Sequence, residues 1–323
     1  MPNYEVGVLI SKLRKQKGMS QEELAYPVID RATLSKIENG KALPHRKTLM
    51  FLFDKLGFDA DEYLRHFVSP KDVKIRNITD ELIGILRFGM RFQPESYREE
   101  KSKKANALLK QLENNQEYMS HPINKQFIIS SKATLAHEMG DDEKALELIK
   151  EALCITIPNF NESNIPDYYL AREDRNILTL LATIYRYNKR YDEAVNVFLG
   201  LKANGDNMGM GIRENAKRKT IFIYNLVVVY LEAGRFQEAI DECDEGIQLS
   251  SDISFYLVIN NLHWIKARAL LGLGQKDEFL KLAKKVYYAF SLHGEERHKT
   301  TLNGIKEAVL AETGVDIEQL VIK

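Results

Sequence analysis

The sequence has few of the residues that support covalent or metal chemistry. Two cysteines, Cys154 and Cys243, among 323 residues are too few for a disulfide framework or a cysteine zinc site. Each lies in an apolar helical pattern, so we expect both thiols to be buried. The seven histidines are scattered, and motifs of serine hydrolases, zinc proteases and P-loop NTPases are missing. The sequence therefore predicts no enzyme, no cofactor and no metal site.

Long apolar runs are also missing. No stretch reaches the roughly 18 residues needed to cross a bilayer. The first residues lack the basic start, apolar centre and small-residue cleavage site of a signal peptide. We therefore expect a cytoplasmic protein without membrane contact. The 46 basic and 46 acidic residues balance, which argues against a protein that coats nucleic acid without selecting a sequence.

Period-two alternation of apolar residues is nearly absent, whereas apolar residues recur at i, i+3, i+4 and i+7 throughout. The sequence therefore predicts an all-α protein, and its length favours more than one domain. Five short helices are expected in the first seventy residues, bounded by caps and turn residues. The expected caps and turn residues are, in chain order, Gly18, Ser20 with Glu23, Asp30, Asn39–Gly40, Pro44, Gly57 and Asp59.

Positive charge is concentrated at the start of the chain. Residues 1–50 hold nine lysines and arginines against five acidic residues. A small basic surface at one end of a neutral chain fits site-specific contact with DNA.

Three segments in this region form one motif: Leu13–Arg14, Met19–Ala25 and Leu34–Gly40. Over residues 5–67 they resemble the Xre/Cro type of helix-turn-helix. Leu24 and Ala25 are expected to pack the second helix against the third. In this motif the third helix enters the major groove with its N-terminal residues.

Residues at the outward side of the third helix and around it are therefore the candidate DNA contacts. They are Gln21, Arg31, Ala32, Thr33, Ser35, Lys36, Asn39, Lys41, His45 and Arg46. The resemblance assigns Gln21 to the DNA backbone, and residues 39–46 flank the next turn, where they are able to hold phosphates. We expect Glu38 to be a structural buried or capping acid. The alternative is a small helical domain that carries this pattern and contacts only protein.

The turn between the second and third helices departs from the common pattern. The segment Tyr26–Asp30 has no glycine and is one residue short. This variant is similar to the peptide-pheromone receptors of Gram-positive bacteria, the RRNPP family. That resemblance implies a repeat domain that binds a short signalling peptide.

The remainder of the chain repeats helix pairs with a period of roughly 40 to 50 residues. We place a DNA-binding domain at 1–69, a linker at 70–79 and a right-handed α-solenoid at 80–323. Four segments resemble tetratricopeptide repeats: Ala133–Ala152, Leu181–Ala194, Tyr224–Ile240 and Trp264–Ala283. Residues 79–115 and 296–320 are expected as an atypical first pair and a C-terminal cap, and residues 204–211 as a flexible loop.

The inner helices of this solenoid are expected near 126–139, 174–187, 219–233 and 259–272. Asn176, Asn225 and Asn261 fall near the starts of three of them. An asparagine amide is able to donate to and accept from one peptide unit, and the resembled family uses inner-face asparagines in this way. The candidate peptide contacts are Asn176, Tyr224, Asn225, Asn261, Trp264, Arg213 and Lys219. The alternative for each asparagine is a surface or capping role.

These features favour a transcriptional regulator of the quorum-sensing type, controlled by a peptide in the repeat groove. We expect a homodimer, because one such head makes too few base contacts for good specificity. One alternative is a regulator whose repeats bind another protein. A second is an adaptor that uses both domains for protein contact.

Overall fold

The computed structural model describes residues 2–42, 44–57, 70–87, 89–207, 212–255, 258–292, 295–314 and 316–321. These ranges are helical and contain no β-strand, which confirms the predicted all-α class. None of their helices is long and apolar enough to cross a membrane. The chain divides into two compact units, residues 1–87 and 88–323.

The first unit begins with short helices separated by tight turns. They are α1 (Pro2–Gln16), α2 (Gln21–Ala25), α3 (Arg31–Glu38), α4 (Arg46–Lys55) and α5 (Pro70–Arg87). Ser20 and Glu23 form the predicted capping box on α2, and Asp30 caps α3. The predicted fifth helix at Asp59 lies outside the described residues.

The core of this unit is formed by apolar side chains of α1 to α4. Ile10, Leu24, Leu34 and Phe53 are fully buried. Gly7 allows α1 to approach α3, because a Cβ atom there would lie 2.1 Å from the carbonyl oxygen of Ile37. Backbone contact at this point sets how deeply α3 lies against the core.

The segment expected as a linker, residues 70–79, has regular structure. It forms the first part of α5, which continues to Arg87, and the division into compact units falls after Arg87. The polar, proline-containing sequence suggested a connection, but Pro70 stands at the first position of the helix, where its missing N–H costs nothing.

The second unit is a series of helical hairpins. Its helices are α6 (Glu95–Glu113), α7 (Gln116–Met119), α8 (Pro122–Met139), α9 (Asp142–Thr156), α10 (Arg172–Tyr187), α11 (Tyr191–Asn207), α12 (Ile212–Glu232), α13 (Phe236–Asp252), α14 (Ile259–Gly272), α15 (Lys276–Leu292), α16 (Glu295–Thr313) and α17 (Ile317–Val321). A 3-10 helix (Glu162–Asp167) lies between α9 and α10. Consecutive helices from α8 to α16 pack against each other, α9 and α10 included.

Small residues lie where these helices cross, as the repeat pattern predicted. Ala194 and Ala239 are completely buried. Gly246 of α13 is equally confined, since a Cβ atom there would lie 2.9 Å from Cγ2 of Ile223 and 3.0 Å from Cδ1 of Leu262. Helices can approach this closely only where the side chain is short.

Two expectations about individual residues of this unit were wrong. Cys243 is buried as expected, but Cys154 is exposed on α9, because its position in the turn points away from the hairpin. Residues 204–207, expected in a loop, extend α11. The amide of Asn204 is buried and donates to the carbonyl oxygens of Ile165 (3.1 Å) and Tyr168 (2.6 Å), which stabilises this last turn. Residues 208–211 lie outside the described part of the chain.

A polar network holds the start of the second unit against its first repeats. Arg91 donates from Nη1 to Oδ1 of Asp142 (2.7 Å) and to the carbonyl oxygen of His137 (2.8 Å). Asn188 of the next repeat donates to Oδ2 of the same carboxylate (3.0 Å). Burial by itself raises the pKa of Asp142, but hydrogen bonds from Arg91 and His137 hold it below its ordinary value. The carboxylate of Asp142 thus joins the segment at Arg91, the end of α8 at His137 and the end of α10 at Asn188.

Candidate DNA-binding and peptide-binding sites

The N-terminal half of α3 presents a polar surface. Asp30 orients it, because Oδ1 accepts from the backbone N–H of Thr33 (2.6 Å). Leu34 and Ile37 are buried in the core as predicted. On the opposite side Arg31, Ala32 and Lys36 are exposed, and Thr33 and Ser35 are half-buried. A short helix held by its apolar side and open at its N-terminal end has the geometry of a recognition helix.

Beneath this surface lies an ion pair that the sequence reasoning missed. Arg14 donates from Nε to Oε1 of Glu38 (2.6 Å) and from Nη2 to Oε2 (3.0 Å). Gln21 donates from Nε2 to Oε2 of the same carboxylate (2.8 Å). Glu38 is 8% exposed, so it has the buried structural position expected for it. Gln21, predicted to contact the DNA backbone, is here bonded to Glu38.

The remaining candidate DNA contacts surround the turn after α3. Asn39, Lys41 and His45 are exposed. Asn39 donates from Nδ2 to the carbonyl oxygen of Ser35 (2.8 Å) and so caps the end of α3. Arg46 is the first residue of α4, and its side chain lies outside the described part of the chain. The DNA roles of these residues stay predictions.

Helices α10 and α12 each begin one of two successive hairpins in the second unit. Helix α11 packs against both, so the chain returns between them and the two inner helices run parallel. At their C-terminal ends Nη1 of Arg186 lies 3.6 Å from Oε1 of Glu232. Asn225 precedes Glu232 by seven residues, which is about two helical turns and keeps the same face. Asn225 therefore lies on the same side of α12 as Glu232. Because α12 begins at Ile212, Asn225 lies in its second half and not near its start, as had been expected.

The amide of Asn225 has capacity left for a ligand. It is half-buried, and Nδ2 donates to the carbonyl oxygen of Ile221 (2.9 Å). That bond uses one of its two donor hydrogens, and the carboxamide oxygen is an acceptor as well. Beside it Ile221 is 45% exposed, which supplies apolar contact area. One donor, one acceptor and an apolar neighbour suit an extended peptide backbone.

The other two asparagines differ in their surroundings. Asn176 is exposed near the start of α10 and donates to Oε2 of Glu173 (3.3 Å). Asn261 is half-buried in the first turn of α14. Each lies near the N-terminal end of its helix, as predicted from the sequence. A ligand role for either one stays a prediction.

The aromatic and basic candidates divide between core and surface. Trp264 packs against the main core, with its ring 6.4 Å from that of Phe279. Tyr224 packs against a smaller cluster around Ile223 and Leu262. Arg213 is exposed and Lys219 half-buried in the first half of α12. Both aromatic side chains therefore have a structural role in addition to the predicted ligand contact.

A cavity of about 670 Å³ opens beside α9. Ile149, Leu181 and Tyr185 contribute to its walls. Tyr185 donates its hydroxyl to Oε1 of Glu162 (2.7 Å), and burial raises the pKa of its phenol. The sequence had no signal for this cavity, because the loop that closes it lies between two repeats.

Comparisons with known proteins agree with this fold. Residues 10–63 match the helix-turn-helix family, whereas no curated protein sequence matches the chain. The solved structure of Bacillus thuringiensis PlcR in complex with the peptide PapR7 and DNA has 18% sequence identity and a TM-score of 0.65. The match covers 93% of this chain and 99% of that one.

Two streptococcal structures are also similar. The pheromone receptor Rgg2 of Streptococcus dysgalactiae has 16% identity and a TM-score of 0.61 over 95% of this chain and 100% of that one. ComR of S. thermophilus, in complex with DNA and its signalling peptide ComS, has 15% identity and a TM-score of 0.54 over 96% of this chain and 100% of that one. At these identities the likeness shows the fold.

The fold and the helix-turn-helix domain define a class of protein. The chain is an all-helical protein with an Xre-type helix-turn-helix domain followed by tetratricopeptide-like repeats. It resembles the RRNPP-type peptide-pheromone receptors, and this resemblance, predicted from the sequence, is confirmed in the fold of nearly the whole chain.

Proposed function

We propose that this protein is a DNA-binding transcriptional regulator whose repeat domain binds a short signalling peptide. The observation that carries the proposal is the open N-terminal face of α3 in a helix-turn-helix domain, in one chain with a series of helical hairpins. The similar structures of PlcR and ComR contain both DNA and a peptide. The protein acts in the cytoplasm, where both DNA and an imported peptide are available.

The DNA-binding part of the proposal is supported by charge and shape. Arg31 and Lys36 are exposed at the open end and side of α3, where guanidinium and ammonium groups are able to reach guanine or phosphate oxygens. The buried Arg14–Glu38 pair connects α1 to α3, so the recognition helix has one orientation. Two such heads in a homodimer would read half-sites about one turn of DNA apart.

The peptide-binding part is supported by the amide of Asn225, which is half-buried and retains a donor and an acceptor beside the exposed Ile221. A backbone clamp of this kind holds an extended chain with little regard for its side chains, and neighbouring groups then select the sequence. A peptide bound at Asn225 changes DNA binding if it binds the two states of the dimer with different affinity.

The test measures binding of the full chain to a DNA fragment from upstream of its own gene, by fluorescence anisotropy at stepped salt concentrations. A regulator should bind this fragment more tightly than a scrambled fragment, and log K should fall linearly with log salt. Equal binding to both fragments, or no binding, would contradict the regulator and favour the adaptor.

A further inference from the structure

The cavity beside α9 has an apolar wall that two successive hairpins share. Ile149 and Leu153 of α9 and Leu181 of α10 are buried in the core and line it, and Phe160 of the segment between these helices is half-buried at its edge. Its volume of about 670 Å³ lies in the range of small-molecule sites, which combine apolar walls with a few polar groups.

Two side chains of opposite charge also line this cavity. They are Lys150 of α9 and Glu162, the first residue of the 3-10 helix, and both residues are exposed. Within the described part of the chain they form no ion pair with each other or with a third residue. The hydroxyl of Tyr185 donates to Oε1 of Glu162 (2.7 Å), which holds this carboxylate at the cavity. A carboxylate with one such bond has acceptor capacity left.

Charged groups around these two side chains are paired elsewhere. The guanidinium carbon of Arg190 lies 4.2 Å from the ring centroid of Tyr185, but Nε of Arg190 donates to Oε2 of Glu193 (2.6 Å). On α9, Oε2 of Glu147 accepts from Nζ of Lys144 (3.0 Å). The cavity therefore has one positive and one negative group available beside its apolar wall.

We propose that this cavity binds a free α-amino acid with an apolar side chain. Lys150 donates to its carboxylate, Glu162 accepts from its ammonium group, and its side chain packs against Leu153 and Leu181. A simple acid or a simple amine would leave one of the two protein charges without a partner, whereas a zwitterion forms charge-assisted hydrogen bonds with both. The bound amino acid would contact α9 and α10 and so link two hairpins. This site depends neither on peptide binding nor on DNA binding.

Equilibrium dialysis of the full chain against an equimolar mixture of the standard amino acids tests the proposal, with mass spectrometry of the material retained by the protein. We expect at least one of leucine, isoleucine, valine, methionine and phenylalanine to bind about tenfold more tightly than serine or glutamine, which bury less apolar area. The N-acetyl and the carboxamide derivatives of the retained amino acid each lack one charge. Each should bind about tenfold more weakly, as loss of a charge-assisted bond implies.

Variants locate the binding. Lys150→Gln and Glu162→Gln should each weaken it about tenfold. Both residues are exposed, and glutamine retains an acceptor for the hydroxyl of Tyr185, so we expect the fold to be intact, which circular dichroism checks. Lys281→Gln and Glu278→Gln make the same changes at exposed positions of α15 and should bind like the wild type.

Binding of apolar amino acids that weakens in both cavity variants and persists in both α15 variants supports the site. The proposal is wrong if no amino acid is retained, or if polar and apolar amino acids are retained equally. Wild-type affinity in Lys150→Gln or in Glu162→Gln would overturn the recognition of a zwitterion at this cavity. An equal loss in the α15 variants would show that the effect is one of net charge and would also overturn it.

Discussion

The guanidinium of Arg14 and the carboxylate of Glu38 form a two-point ion pair between α1 and α3, with Nε–Oε1 at 2.6 Å and Nη2–Oε2 at 3.0 Å. The side chains are 11% and 5% exposed. Arg14 also donates from Nη1 to the carbonyl oxygen of Met19 (2.8 Å), and Gln21 donates to the same carboxylate of Glu38. One carboxylate thus connects α1, the start of α2 and the end of α3.

Replacing Glu38 by glutamine should destabilise the first unit. The change leaves the charge of Arg14 mostly buried without a counter-charge, and breaking such a pair costs about 3 kcal/mol. Urea unfolding followed by circular dichroism measures the loss. Glu22→Gln, an exposed acid on α2, is the control and should change stability by about 0.5 kcal/mol or less. Equal stability of the two variants would contradict a structural role for the pair.

The same pair predicts acid sensitivity. Burial by itself raises the pKa of Glu38, but hydrogen bonds from Arg14 and Gln21 outweigh it, so its pKa is below the ordinary value. A carboxylate with a lowered pKa contributes stability above its unfolded pKa, and this contribution is lost as pH falls through the folded value. The stability difference between wild type and Glu38→Gln should therefore shrink as the pH is lowered below about 4. A constant difference would exclude the ionised pair as its cause.

Replacing Arg31 and Thr33 together by alanine should weaken specific DNA binding without affecting the fold. Each good base contact contributes roughly 1–3 kcal/mol, so the double variant should lose about 2–5 kcal/mol. Anisotropy with the upstream fragment measures the loss. Lys103→Ala removes one charge from an exposed side chain of α6 and should bind like the wild type. Unchanged DNA affinity with an unchanged circular dichroism spectrum would show that α3 is not the recognition helix.

Replacing Ala239 by leucine should destabilise the repeat unit. Ala239 is completely buried where helices cross, and added methyl groups in a packed crossing cost about 1–3 kcal/mol. Ala194→Leu should behave in the same way. Ala203→Leu, at an exposed position of α11, is the matched control. The repeats would be wrongly placed if all three variants unfold at the same urea concentration as the wild type.

Replacing Asn225 by alanine should weaken peptide binding by about 5- to 100-fold, because a peptide group bound to its amide loses its partner at a cost of about 1–3 kcal/mol. Calorimetry with peptides that the full chain selects from a pool of synthetic random peptides measures the change. Several selected peptides should lose affinity to a similar extent, since the amide contacts backbone. DNA binding without peptide should stay at the wild-type level. Wild-type peptide affinity would remove Asn225 from the site.

Much of the helical pattern was predictable because local chemistry determines it. Ser20 with Glu23 and Asp30 cap helices through bonds within three residues, and such contacts do not depend on the rest of the fold. The buried alanines of the repeats follow from spacing along one helix face. Cys154 was placed incorrectly by the same reasoning, since periodicity alone does not decide which side of an outer helix is covered.

The sequence by itself determined the helices, their caps, the helix-turn-helix motif and the repeating hairpins, because these depend on residues a few positions apart. Only the tertiary structure decided which distant side chains meet. The pairing of Arg14 with Glu38 spans 24 residues, and that of Arg186 with Glu232 spans two inner helices. That second pairing depends on the register of α10 and α12, which packing sets and local sequence does not encode.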